Sequence, residues 1–147
     1  MDFACESLPR RGGPAPSGGL RYSHDFSVDD VPDVIAARPD GALMMYPGNG
    51  RGGFLGFYPQ IGGGFNTRDM IRHAQDFDRS GTRDLIARDP ANGDLWLYRG
   101  NGSGGFSGQY VNGTGWNVFS EIVAPGDFDG DGNPDLVTVR INGDMNL

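Results

Sequence analysis

Asp25-Phe26-Ser27, Asp76-Phe77-Asp78 and Asp127-Phe128-Asp129 stand 51 residues apart. The likeness runs on downstream: Asp33-Val34-Ile35-Ala36 matches Asp84-Leu85-Ile86-Ala87 and Asp135-Leu136-Val137-Thr138. Gly41-Ala42-Leu43 matches Gly93-Asp94-Leu95 and Gly143-Asp144-Met145, and Tyr46-Pro47-Gly48-Asn49-Gly50 matches Tyr98-Arg99-Gly100-Asn101-Gly102. One extra residue near Asn92 separates the first two copies in a turn. A fixed period of roughly 50 residues requires a supersecondary unit that buries its apolar faces against neighbouring copies.

Each unit reads as four short strands. In the second they are expected at 66–75, 84–89, 94–98 and 106–111, separated by Asp, Asn and Gly, which supply turn geometry. No stretch keeps a 3.6-residue apolar period, so helix is minor. Gly (26) and Pro (10) make up about a quarter of the chain, a range in which disorder is considered. The fixed offsets of the glycines, with aromatic residues between them, favour many strands joined by tight turns instead. The predicted fold is therefore all-β, built of β-propeller blades that are each a four-stranded antiparallel sheet.

Blade counting places unit one at about residues 18–61, unit two at 62–112 and unit three at 113–147, with 1–17 as a Pro/Gly/Ser-rich linker or degraded blade end. That is about 2.7 blades, fewer than the roughly 4–8 of closed propellers. The ring is expected to be incomplete unless the chain is part of a longer one or copies assemble to complete it.

The chemistry concentrates in the recurring aspartate loops. Asp127-Phe128-Asp129-Gly130-Asp131-Gly132-Asn133-Pro134-Asp135 offers side-chain oxygens at positions 1, 3, 5 and 9 from Asp127, Asp129, Asp131 and Asp135, and a carbonyl at position 7 from Asn133. Carboxylates this close repel without a cation. Ca²⁺, which takes 6–8 oxygens in a flexible cage, resolves the conflict. Gly132 at position 6 permits the bend. Unit two offers Asp76, Asp78, Ser80, the carbonyl of Thr82, and Asp84. Unit one offers Asp25, Ser27, Asp29, the carbonyl of Val31, and Asp33, with Asp30 rather than Gly at position 6. The expected order of occupancy is unit three, then two, then one. Without metal, the same loops would be Asx-type turns. An EF-hand is rejected: position 12 is Thr138, Ala87 or Ala36 rather than Glu, and strand-like residues follow.

These loops, together with Leu95-Trp96-Leu97-Tyr98-Arg99-Gly100 and Gly115-Trp116-Asn117, resemble the FG-GAP/VCBS repeats, the calcium-loop propeller repeats also found in the head of integrin α chains. The resemblance covers residues 18–147. It implies a propeller of usually seven blades, structural Ca²⁺ held by positions 1, 3, 5, 7 and 9 of each loop, an extracellular setting, and a role in adhesion or as a module appended to secreted hydrolases. Unit one departs from the pattern at positions 3 and 6.

The formal charge of −7 argues against nucleic acid or an anionic membrane as partner. All 12 basic residues are Arg, and 17 of the 19 acids are Asp. Cys5 is the one cysteine, so no internal disulfide forms. No apolar run approaches the ~18 residues of a membrane span. Met1–Arg11 lacks an apolar signal-peptide core, which leaves an intracellular chain or one cut from a longer secreted precursor, and the expectation is the secreted one. His24 and His73 precede aspartate loops with no nucleophile motif nearby, so no enzymatic activity is expected. The expected partner is a protein or a glycan. For a lectin-like alternative, the candidate sugar platforms are Trp96, Trp116, Tyr98 and Tyr46, which otherwise pack between blades. Strand alternation sets Leu95, Leu97 and Arg99 on one face and Trp96 and Tyr98 on the other.

Overall fold

The computed structural model describes residues 24–147; the linker assigned to residues 1–17, the start of unit one and Cys5 lie outside them. Among the described residues ten strands form three antiparallel sheets. The first holds β1 (Val34–Ala37), β2 (Leu43–Tyr46) and β3 (Gln60–Gly62). The second holds β4 (Asp69–Gln75), β5 (Asp84–Asp89), β6 (Asp94–Gly100) and β7 (Phe106–Gly113). The third holds β8 (Phe119–Gly126), β9 (Asp135–Arg140) and β10 (Met145–Asn146). The only helical segments among the described residues are 3₁₀ turns at Phe65–Thr67 and Trp116–Val118. The protein is all-β, its sheets are blade-like, and they do not close a ring.

The sequence repeat is reproduced in strand register. Val34 pairs with Tyr46 as Leu85 pairs with Tyr98. Ala36 pairs with Met44, Ala87 with Trp96, and Thr138 with Asn146. The hairpin turn after the second strand closes over three residues in blades one and three, where Gly41 N–H donates to Arg38 O and Gly143 N–H to Arg140 O. In blade two it closes over four, from Gly93 to Asp89, which locates the extra residue. The first strand of blade two begins at Asp69 rather than 66. Gly64, at φ 77°, turns the chain into the 3₁₀ segment, and the Thr67 hydroxyl donates to Gly64 O. β6 and β7 each run two residues beyond the predicted ends.

Apolar burial occurs between sheets, as period-two strands covered on both faces require. Leu85, Ala87 and Tyr98 on one face of blade two meet Leu43 of blade one and Phe65, with Trp96 and Phe106 packed around them. Ile86, Leu95, Leu97 and Ala74 on the opposite face meet Ile122 and Leu136 of blade three. The predicted alternation in β6 therefore holds, and each face has a different neighbour.

Polar stitches cross the same boundaries. Phe65 N–H donates to Gly41 O (3.0 Å) and Trp116 N–H to Gly93 O (2.8 Å), so the lead-in of each blade hooks onto the hairpin of the one before. Arg88, 9% exposed, binds Asp69 through two bonds of 2.9 and 2.7 Å and donates to Trp116 O and Phe119 O. Arg72 donates to Ile122 O at 2.9 Å and pairs with Glu121, whose carboxyl it holds below its usual range.

Candidate metal centre

Loops two and three join β4 to β5 and β8 to β9, loop one leads into β1, and all three are folded by their own carboxylates. The position-9 aspartate anchors it. Asp84 Oδ2 accepts from Phe77 N–H (2.9 Å) and Asp78 N–H (3.1 Å), while Oδ1 accepts from Gly100 N–H (3.0 Å) on the third strand. Asp33 does the same with Phe26, Ser27 and Gly48. Asp135 accepts from Phe128 and Asp129. Such charge-assisted bonds are about twice as strong as neutral ones. Burial pushes the Asp84 carboxyl up, with the Gly100 and Asp78 N–H groups opposing. Gly100 is required at this contact, because a Cβ there would lie 1.9 Å from Arg83 O. Gly48 meets Pro32 O in the same way, at 2.2 Å.

Two loops bring three carboxylates together. Asp76, Asp78 and Asp84 form one group and Asp127, Asp129 and Asp135 the other, each with one oxygen per residue within 4.8 Å of the others. These are positions 1, 3 and 9 of loops two and three. Asp25, Asp29 and Asp33 do not form such a group. Asp25 accepts from Asp29 N–H and Asp30 N–H, and Arg83 of the next blade stands 3.8 Å from its Oδ2. Asp29 turns back to Val31 N–H at 2.9 Å, and the Ser27 hydroxyl is buried without a partner.

Position 5 departs from the predicted ligand pattern. Asp131 accepts from both the backbone and the side-chain amide of Asn133, which hold its carboxyl below the usual range. It is exposed and stands apart from the other three. Ser80, the equivalent in loop two, bonds the Thr82 hydroxyl at 2.9 Å, and Thr82 donates its own to Gly100 O. For Asp78, burial raises the carboxyl pKa, but bonds from Ser80 and Arg99 outweigh it and leave the group low.

The donor set fits a hard cation. Asp76 Oδ1 and Asn133 Oδ1 are buried oxygens with no hydrogen-bond partner, one in each of the two loops. A buried acceptor without a partner costs about 1–3 kcal/mol, and a cation bound by oxygen removes that cost.

Backbone strain grades the loops. Position 6 is left-handed in all three: Gly132 at φ 89°, Gly81 at 88° and Asp30 at 65°. Position 4 is left-handed as well, a requirement missed from sequence: Gly130 at 83°, Arg79 at 59° and Val28 at 65°. Left-handed backbone costs a non-glycine residue about 1–2 kcal/mol, and a β-branched one more. Loop three has glycine at both positions, loop two at one, and loop one at neither.

Residues 76–138, from the loop of blade two to the second strand of blade three, match the FG-GAP-like repeat family. This stretch is similar to an FG-GAP-like repeat. The match contains both three-carboxylate groups whole. FG-GAP-like repeats are generally non-catalytic, propeller-type modules. No curated protein and no solved structure matches the chain.

Three of the four aromatic candidates, Trp96, Trp116 and Tyr98, lie in the packing between blades. Trp96 sits against the Leu43–Tyr98 cluster under the Arg68 guanidinium (5.3 Å), and Trp116 packs on Phe119 (5.2 Å) beside Leu95 and Leu97. Tyr98 is buried against Phe65 and Phe106. Tyr46 contacts Phe54 and Tyr58 on the outer side of blade one. His24 and His73 meet edge-on at 5.1 Å, next to Phe26, and burial with the nearby His24 and Arg83 lowers His73 to about 4. No helix of the described residues is long and apolar enough to cross a membrane.

Proposed function

We propose that the chain is a non-catalytic, calcium-stabilised blade module of an extracellular protein, which presents a binding surface to a protein ligand. The observation that carries this reading is the pair of three-carboxylate groups at equivalent places in consecutive repeats, each with a buried oxygen awaiting a partner. Asp76, Asp78 and Asp84, and Asp127, Asp129 and Asp135 with Asn133, would hold the ions. Calcium supplies charge neutralisation there and ties the loop between two strands. Carboxylates set to bind metal in a strand-joining loop stabilise the sheet whenever calcium is in excess, by about 2.7 kcal/mol per site at a hundred times its Kd.

The extracellular assignment follows from weak, loop-built calcium sites, which fill where calcium is plentiful. The packing of Trp96 and Trp116 between blades supports a rim-binding scaffold over per-blade sugar platforms. Scanning calorimetry in calcium and in chelator tests the reading. The midpoint falls in chelator if the loops hold calcium; an unchanged midpoint, with no metal in the purified protein, overturns it.

A further inference from the structure

The last two residues of β6 both reach into loop two. Gly100 N–H anchors Asp84, and the Arg99 guanidinium donates through Nε to Asp78 Oδ2. Asp78 and Asp84 are two of the three carboxylates that converge in this loop. The Asp78 side chain is 10% exposed, so Arg99 is paired with a carboxylate largely shielded from water, while its own side chain stays 45% exposed. A charge-assisted bond to such a group is stronger than an ordinary surface pair.

The three carboxylates are held in different ways. Asp84 is fixed by three backbone N–H groups, and Asp76 takes Gly81 N–H on Oδ2 and leaves Oδ1 buried without a partner. Asp78 takes Ser80 N–H on Oδ1 and the arginine on Oδ2. A backbone N–H carries no net charge, and a carboxylate oxygen that accepts one keeps a lone pair for a metal. A guanidinium is different: it is always charged, and it repels a divalent ion at the same oxygen. The repeat shows the two positions changing together. Unit one has Ser27 in place of Asp78 and Pro47 in place of Arg99, so neither the carboxylate nor the cation is there.

On the reading that loop two holds calcium, we propose that Arg99 is its resident counter-ion: the guanidinium occupies Asp78 while the loop is empty, and calcium displaces it into solvent. Entry of the ion breaks the Arg99–Asp78 pair and gives the buried oxygen of Asp76 its partner in the same event. The exposure of the Arg99 side chain lets it swing away without unpacking the core. The competition lowers the calcium affinity of loop two by about tenfold, the effect of a unit positive charge beside a divalent ion in a water-rich site. Arg99 is a positioning residue: it sets the concentration at which the site fills and touches no metal.

The test uses the full chain carrying Asp129→Ala, which leaves loop two as the remaining site, stripped of metal and titrated with calcium in a calorimeter. Adding Arg99→Gln should tighten binding by about tenfold. Arg99→Lys keeps the charge and should restore most of the competition. By magnetic resonance, the Arg99 Nε–H signal of the Asp129→Ala chain should shift and exchange faster with water as calcium is added. Equal or weaker binding in Arg99→Gln, binding as tight in Arg99→Lys as in Arg99→Gln, or an Nε–H signal that stays in place while calcium binds overturns the proposal and leaves the calcium reading intact. No binding at millimolar calcium, with or without Arg99, overturns the calcium reading of loop two and the proposal with it. Melting curves in chelator show whether each variant is folded; where Arg99→Gln is not, the Nε–H signal decides.

Discussion

The Arg83 guanidinium of blade two reaches across the blade boundary to the Asp25 carboxylate of blade one, 3.8 Å away, with both side chains largely buried. Asp25 is position 1 of loop one, the place where a metal would take its first ligand. A fixed cation from the neighbouring blade thus supplies the positive charge there. Position 8 of the loop, where Arg83 stands, is Pro32 in unit one and Pro134 in unit three. Arg83→Gln is expected to cost about 2 kcal/mol, because it leaves Asp25 buried without its cation. Urea denaturation of the variant measures this, and a cost near zero would show that the pair is incidental.

Val28 should be a source of strain that glycine relieves. Its φ of 65° is unfavourable for a β-branched residue, and Gly130 holds the same place in loop three without penalty. Val28→Gly is expected to stabilise by about 1 kcal/mol, after subtraction of the extra freedom that glycine gives the unfolded chain. Gly130→Val should destabilise by a similar amount or more. The two thermal midpoints moving in opposite directions is the expected result.

Arg88 holds Asp69 and two carbonyls of the blade-three lead-in at once. Arg88→Met keeps the stem but strands those acceptors, at a cost of about 3 kcal/mol. The loss should appear as a lower denaturation midpoint. Local opening should be concentrated at Trp116–Phe119, where amide exchange would speed up most.

Stability should fall with acid through one histidine. The folded pKa of His73 is depressed to about 4 by burial, then by His24 and Arg83, against 6.5 when unfolded. The folded state therefore favours the neutral ring, and that contribution is fully present above 6.5. As pH falls from 6.5 to about 4 the unfolded chain takes up a proton that the folded one resists, and up to about 3 kcal/mol is lost. His73→Phe should flatten the stability profile across that window; an unaltered slope would assign the acid sensitivity to other groups.

What the sequence discloses about this fold is local or periodic. The spacing of 51 residues locates the sheets, and the alternation Leu95-Trp96-Leu97-Tyr98 assigns faces, because both follow from the geometry of a strand covered on two sides. The convergence of positions 1, 3 and 9 was likewise readable in two loops. Position 5 was not: Asp131 is satisfied by Asn133 two residues on, a local bond that competes with convergence. Nor was the left-handed backbone at position 4, where Val28 gives no glycine signal. Arg83 and Arg88 escaped notice for another reason. Their partners are 58 residues upstream and 28 to 31 residues downstream, and no periodicity marks a contact across blades.

Loop three has the least strain and one carboxylate more than loop two, so Asp129→Ala should lower the calcium-dependent part of the stability more than Asp78→Ala does. In chelator the two variants should differ little from each other, since Asp129 and Asp78 then make only local bonds to Asp131 N–H and Ser80 N–H and the Arg99 pair.

Calorimetric titration of the metal-stripped chain with calcium probes the central claim most directly. The account predicts two ions per chain, with one site lost in Asp129→Ala, the other lost in Asp78→Ala, and none contributed by the loop in which Arg83 faces Asp25. Absence of calcium binding at millimolar concentration, or retention of both sites in the two variants, would contradict it.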